Sequence, residues 1–233
     1  MTLPADWRFL DRSVYLTPSE TLVLSDLHLG RARTAGIAMP ISSADECIAR
    51  LDPILERLKP RTVVLAGDIL DAFSTVPRGV ENQFSAVCDA IENRGATVVP
   101  LAGNHDTMLA ELYDQPVDAT YRVGETLICH GHELPDDEAT RYLIGHEHPA
   151  IRIEGVKRPC YLWGPGPNNS DLLVLPAVSS RSRGTVMNRR TRADCDSPFL
   201  GGASLDEFQP IVRDEDDDAT LPFPPLGELR PFL

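Results

Sequence analysis

The sequence predicts a layered α/β domain. Strand-like apolar runs recur with amphipathic helical patterns between them, the early runs are continuous and β-branched, and each early run ends in polar residues. Thr21-Leu22-Val23-Leu24 leads into Ser25-Asp26-Leu27-His28, Thr62-Val63-Val64-Leu65-Ala66 into Gly67-Asp68, and Thr97-Val98-Val99-Pro100-Leu101 into Gly103-Asn104-His105. Runs of this kind suit strands buried on both faces. Between the first two, Ser43 with Glu46 forms a capping-box pattern ahead of Cys47, Ile48, Leu51, Ile54, Leu55 and Leu58 at helical spacing, stopped by Pro60. Pro53 should kink or divide this helix, because proline removes one backbone hydrogen bond and clashes with the preceding turn. Phe84, Val87, Cys88 and Ile91 mark a second helix that ends at Gly95. Further on, 125–129 and 172–175 read as strands, and the Gly-, Pro- and Asn-rich 161–170 as a turn region. Residues 1–212 therefore read as a single domain, and 213–233, an acid block followed by a Pro-rich end, as a solvated tail.

The 233 residues carry 22 Lys+Arg against 35 Asp+Glu, a formal net charge of −13. At 42% hydrophobic and 24% charged the chain can bury an ordinary core, which excludes collagen-like and wholly disordered classes. No stretch approaches the roughly 18 apolar residues of a membrane span. The five cysteines include no CxxC pair, so neither a disulfide framework nor a zinc knuckle is signalled. Residues 1–10 lack the basic flank and apolar run of a signal peptide, and the chain reads as a soluble cytoplasmic protein. Only Lys59 and Lys157 are lysines. Such an acidic, lysine-poor surface argues against a general backbone-tracking nucleic-acid binder, and it suits a halophilic, salt-rich cytoplasm where self-repulsion is screened within roughly 3 Å at 1 M salt.

All six histidines, His28, His105, His130, His132, His146 and His148, stand beside glycines, carboxylates or each other near the ends of apolar runs. In an open α/β sheet the carboxyl ends of the strands face one crevice, so polar residues placed there converge. Imidazole and carboxylate ligands suit borderline divalent ions such as Mn, Fe, Zn, Co or Ni. One ion needs only about four protein ligands. Asp26, His28, Asp68, Asn104, His130, His146 and His148 are too many for one, and suit two ions sharing a bridging carboxylate, roughly 3.5–4 Å apart.

In order along the chain, Asp26-Leu27-His28, Gly67-Asp68, Gly103-Asn104-His105-Asp106, His130-Gly131-His132 and Gly145-His146-Glu147-His148 resemble the five motifs of the calcineurin-like metallophosphoesterases. Ser25 to Gly30, the 145–149 ending and Leu173-Val174-Leu175-Pro176-Ala177 are most similar to the small archaeal SbcD-related phosphoesterases. The resemblance implies a four-layer α/β/β/α sandwich with two central mixed sheets. It implies that Asp26, His28 and His148 hold a first metal, Asn104, His130 and His146 a second, and Asp68 bridges them, with manganese the expected ion. It implies His105 as the group that steadies the transition state or protonates the leaving alkoxide, oriented by Asp71. Asp71 as a helix N-cap is the competing reading, and Asp106 could serve in its place. His132 reads as a residue behind the ligands or beside the substrate. Arg31 and Arg33 could reach a substrate phosphate with paired donors, or be ordinary surface arginines. The cluster Arg181, Arg183, Arg189, Arg190 and Arg192 is a solvated patch or a docking place for nucleic acid or a protein partner.

These residues predict a two-metal phosphoesterase acting on phosphodiesters, nucleic acid included, in which a water between the ions is acidified to hydroxide and attacks phosphorus. Only 16 positions separate His130 from His146, so no capping domain fits there and substrate preference stays open, small diesters or single-stranded ends suiting the site as readily as duplex DNA. A phosphomonoesterase or cyclic-nucleotide phosphodiesterase is the alternative with the same chemistry. A non-catalytic binding module on the same fold is the alternative from another class.

Overall fold

The computed structural model describes residues 2–31, 42–72, 74–182, 184–202 and 204–232, so Arg33 and Arg183 lie outside the described residues. A hairpin, β1 (Trp7–Leu10) and β2 (Ser13–Leu16), opens the chain. It adds antiparallel to β3 (Thr21–Leu24), which pairs in parallel with β4 (Thr62–Ala66), and β4 with β5 (Thr97–Leu101). The result is a five-stranded mixed sheet in the order β1-β2-β3-β4-β5. The two crossovers carry α1 (Ser43–Leu58) and α2 (Val80–Glu92), whose apolar stripes, Cys47, Leu51, Ile54 and Leu55 on one and Val80, Phe84, Val87 and Ile91 on the other, cover the outer face of this sheet.

The second sheet has seven strands: β6 (Thr120–Val123), β7 (Thr126–Cys129), β8 (Arg141–Ile144), β11 (Tyr161–Pro165), β12 (Asp171–Val174), β14 (Gln209–Asp214) and β15 (Ala219–Pro222), ordered β15-β14-β11-β12-β8-β7-β6. β8 is parallel to both β7 and β12, and the remaining pairs are antiparallel. Trp7, Phe9, Val14, Val23 and Val64 of the first sheet meet Ile128, Leu143, Tyr161, Trp163 and Leu173 of the second in one apolar layer. The Tyr161 hydroxyl reaches the carbonyls of Leu10 and Ser13, tying β11 to the β1–β2 turn. The far face of the second sheet is covered by short pieces, the 3₁₀ turns Pro198–Leu200 and Leu205–Glu207 and the one-turn helix α3 (Leu226–Leu229), through Phe199, Leu200, Leu205, Phe208 and Leu226. The four-layer sandwich with two mixed sheets is thus the observed fold, its fourth layer built of single turns. A small third sheet, β9 (Pro149–Ile153), β10 (Val156–Pro159) and β13 (Thr185–Val186), stands in the order β10-β9-β13.

Four local expectations are corrected. The capping box lies one residue earlier: Ser42 Oγ accepts from the Asp45 amide at 3.0 Å and Asp45 Oδ2 from the Ser42 amide at 3.2 Å. Ser43 and Glu46 instead hold a distant loop, Ser43 Oγ accepting from Arg181 at 2.7 Å and Glu46 Oε1 from the Ser180 amide at 2.8 Å. Pro53 does not divide α1, because it sits on the exposed side, where the carbonyl four residues back is left to water. Within 161–170 only Pro167–Asn169 is a turn; Tyr161–Pro165 is strand, its Gly164 giving the space that the Phe208 ring fills. The segment 213–233 is not a tail of solvated chain: β14 and β15 pair as a hairpin on the second sheet, and Leu226 is fully buried.

The loops that leave β4 and β5 are bolted together by one carboxylate. Asp106, buried, accepts from the amides of Leu70 at 2.7 Å, Ile69 at 3.1 Å and Gly103 at 3.0 Å. Asp106→Ala should therefore cost about 2–4 kcal/mol, the desolvation of orphaned buried amides, read as a lower urea midpoint at unchanged slope. A chain ending at residue 212 should lose more than ~3 kcal/mol from the stripped Leu226 contacts and unpaired β14, lowering Tm by roughly 10 °C. A truncated chain melting at the full-length temperature would show 213–233 to be a dispensable tail.

Candidate metal centre

Each candidate ligand stands just after a strand, in a turn that bends the chain into the crevice at the sheet ends. Asp26 and His28 follow β3, Asp68 follows β4, Asn104 and His105 follow β5, His130 follows β7, and His146 and His148 follow β8. The loops after β3 and β4 continue the parallel ladder: the amide of Asp26 donates to Gly67 O, that of His28 to Asp68 O, and that of Leu29 to Ile69 O. The second sheet joins through Val178 and Ser179, whose amides donate to the carbonyls of Ser25 and Asp26. Gly67, with φ near +78°, leaves the room that His130 takes: a Cβ there would lie 2.5 Å from the His130 Cβ.

Asp26, His28, Asp68 and His148 offer ligand atoms that all lie within 4.8 Å of one another. His28 Nε2 faces His148 Nε2 at 3.3 Å, and His148 Nε2 faces Asp26 Oδ1 at 3.0 Å. A second group adjoins the first. His130 donates from Nδ1 to the Ala66 carbonyl at 3.2 Å, which turns Nε2 towards Asn104 Oδ1 at 3.0 Å, Asp68 Oδ1 at 3.2 Å and His146 Nδ1 at 3.1 Å. Asp68 is the carboxylate that both groups share. Ring nitrogens packed 3.1–3.3 Å apart around shared carboxylate oxygens form a nitrogen–oxygen donor set suited to borderline divalent cations. The residues present fit two such ions.

The electrostatics agree. Burial alone would raise the Asp26 carboxyl, but His148, His130 and His28 around it hold it far below the usual carboxylate range. Burial works against a charge on His130, and Asp68 and Asp26 outweigh it, bringing that imidazole up to about 9. His148 is likewise raised, burial being outweighed by Asp26. Burial takes His28 and His146 down to about 4. Ionised carboxylates thus sit beside a mixture of charged and neutral imidazoles; a cation held here would take over the balancing charge, its imidazole ligands being neutral.

His105 stands at the edge of this crevice. Its Nδ1 meets Asp71 Oδ1 at 3.1 Å, its Nε2 lies 3.9 Å from Asp68 Oδ2, and its amide donates to Asp68 Oδ1 at 3.0 Å. The bond to Asp71 raises the imidazole above its ordinary value, against burial. Asp71 is not a helix N-cap, since α2 starts only at Val80 behind Gly79. Nor does Asp106 face this histidine, all its contacts above being backbone amides. His132 lies behind the ligands, its ring 5.3 Å from His130 and 6.2 Å from His146. Arg31 reaches Ser182 Oγ at 3.1 Å, close enough to act electrostatically on His28, Asp71 and His105.

Three supports went unread in the sequence. Ser25 Oγ donates to Asp26 Oδ2 at 2.7 Å, and the His146 amide approaches the same carboxylate at 3.2 Å. Glu147, buried between two ligands, accepts from the Ser197 amide at 2.6 Å. Ser197 Oγ then donates to Gly131 O at 2.6 Å, so one serine ties the His130 loop to the His146–His148 loop. A glutamate inside Gly-His-Glu-His is a legible signal; its partner 50 residues away is not.

No helix among the described residues is long and apolar enough to cross a membrane. No curated protein matches the chain by sequence. Among solved structures, a crystal structure of Pseudomonas putida nuclease MPE superimposes with a TM-score of 0.64 at 20% identity, over 93% of this chain and 94% of that one, a likeness of fold. The family model for calcineurin-like phosphoesterases matches residues 20–176, more than half of the sequence and every candidate ligand, and the chain belongs to that family.

Proposed function

We propose that the protein is a two-metal phosphodiesterase of the SbcD-related, nuclease-like kind. The observation that carries the proposal is the shared carboxylate of Asp68, flanked on one side by Asp26, His28 and His148 and on the other by Asn104, His130 and His146. Asp26, His28 and His148 would hold one cation, Asn104, His130 and His146 the other, with Asp68 between. When bound, two such ions supply Lewis-acid charge and an acidified water, and manganese, iron, zinc, cobalt or nickel all suit these ligands.

The chain's own groups do the rest. Asp26 and Asp68 carry two negative charges against four positive ones, which leaves the crevice attractive to a phosphate oxyanion within an acidic molecule. Asp71 accepts from His105 Nδ1–H and fixes the tautomer, so the proton available for transfer sits on Nε2, the edge nearer Asp68. His105 there donates to the departing alkoxide. Arg31, held by Ser182, would offer its planar fork to a substrate phosphate oxygen. A nuclease shares this fold, which supports the nuclease-like form of the reading.

His105→Ala should keep two metal ions per chain while kcat on a phosphodiester falls on the order of 10²–10⁴-fold, the usual range for a proton-transfer group. Unchanged turnover would remove His105 from the reaction, a wild type without turnover would return the protein to the non-catalytic alternative, and faster hydrolysis of the matched monoester by the wild type would favour the phosphomonoesterase. His148→Ala should lower the metal content measured by elemental analysis and remove part of the rise in Tm that added manganese gives the wild type. Two ions still bound at full affinity would show that His148 is not a ligand.

A further inference from the structure

The small sheet β10-β9-β13 grows directly out of the metal centre. β9 begins at Pro149, the residue after His148, and β13 pairs with it as the Thr185 amide donates to His148 O at 2.7 Å. Its charge is opposite to that of the molecule. Residues 149–159 and 184–192 contain six of the 22 cationic residues and one acid, Glu154, a net of +5; against a total of −13 the rest of the chain carries −18.

These cations differ from several arginines elsewhere in the chain. Arg50, Arg94 and Arg122 lie 2.5, 2.5 and 3.8 Å from carboxylates. Arg152, Arg158, Arg189 and Arg192 are exposed, and none forms an ion pair with a carboxylate among the described residues. Arg152 and Lys157 are cross-strand partners, and Asn188 extends the sheet by bonding both the amide and the carbonyl of Arg152 at 2.8 Å, which carries Arg189 alongside. Between the sheet and the centre lies a cavity of about 210 Å³ lined by Arg12, His148, Lys157 and Ser182 together with Pro149 and Ala177.

We propose that this sheet is the docking surface for a single nucleic-acid strand, which crosses it as its phosphodiester enters the metal centre. The inference rests on the phosphodiesterase reading above and names its substrate. Arg152 is four residues beyond His148, so the strip reaches roughly 13 Å from the ligand, several nucleotides along one backbone. Three strands about 4.8 Å apart make a strip wide enough for one backbone, and the net negative charge of the rest of the chain opposes a second. Unpaired arginines present planar donors to phosphate and stack on bases, as a single strand requires.

The test uses the full-length, metal-loaded protein, a labelled single-stranded oligonucleotide of about 16 nucleotides, and bis(p-nitrophenyl) phosphate as a small diester. Replacing Arg152, Arg158, Arg189 and Arg192 by Gln should raise KM for the oligonucleotide on the order of 10²-fold and reduce the slope of log affinity against log salt by about 3, close to 0.7 per cation. Hydrolysis of the small diester should stay within about twofold of wild type, and the Arg94→Gln/Arg122→Gln control should leave both substrates untouched. The pairs Arg152→Gln/Arg158→Gln and Arg189→Gln/Arg192→Gln, each checked by thermal melting, divide the effect should the fourfold variant misfold. An unchanged oligonucleotide KM beside normal hydrolysis of the small diester overturns the docking surface and leaves the phosphodiesterase standing. A wild type inert towards the small diester overturns the phosphodiesterase instead. Tighter binding of a duplex of equal length, or equal competition by polyglutamate, overturns the choice of a single strand as the occupant.

Discussion

A carboxylate with no access to water is the constraint on which this architecture turns. Asp26 is wholly buried at the meeting point of the two sheets, and an ion of that kind costs several kcal/mol to bury unless its surroundings answer every lone pair. Ser25 donates to it, the His146 amide approaches it, and His148 faces it at 3.0 Å. Those groups come from both sheets, so the charge is satisfied only when the sandwich is closed. Removing a partner would leave the charge uncompensated, which is dearer than never having buried it. Bound cations act on the same account: they bring positive charge to a place that the folded chain has already committed to negative oxygen.

Backbone strain is gathered at the same point. Asp26, His28, Asp68, His146 and His148 all have positive φ, between 46° and 69°, a region that costs an ordinary L-residue roughly 1–2 kcal/mol each. Five such residues in one crevice hold several kcal/mol of unfavourable backbone energy, and only over-determined surroundings keep it. Asp106 and Ser197 provide them, one clamping the loops after β4 and β5, the other clamping the His130 loop to the His146–His148 loop. Neither touches the crevice with its own reactive atoms. Rigidity here is built from buried polar bonds to backbone, the kind of support that keeps ligand atoms converging before anything binds.

What could be read from the sequence follows from what was local. β3, β4 and β5 are visible because they are buried on both faces and run as unbroken β-branched stretches, and the ligands are visible because strand ends converge. β11 is hidden because Gly164 and Pro165 look like turn residues, and only the Phe208 ring, 44 positions later, explains the glycine. The acid block at 214–218 looks like solvent-loving tail because a hairpin turn and a disordered segment share a composition; what distinguishes them is β14 finding β11, a long-range pairing. Asp71 left two readings open for the same reason: a short carboxylate can cap a helix or orient a histidine, and only the placing of His105 decides.

Charge is the property that the fold redistributes most. A net of −13 describes the whole molecule, but phosphate chemistry happens within a few ångströms, and screening confines each exposed charge to about a Debye length, ~8 Å at physiological salt. Within that radius the surface is a mosaic: a crevice of buried carboxylates and imidazoles that two divalent ions would make cationic, and exposed arginines beside it on β9 and β10. On such a mosaic the net negative charge of the rest of the chain would oppose any part of a polyanion that strays from the strip. On the docking proposal, that opposition would set the orientation of approach and favour a strand thin enough to keep to the strip. Raising the salt weakens the exposed strip and the exposed repulsion together, while the buried crevice is screened far less, so the balance between a long polymer and a small diester should shift with ionic strength even though the reacting atoms are the same.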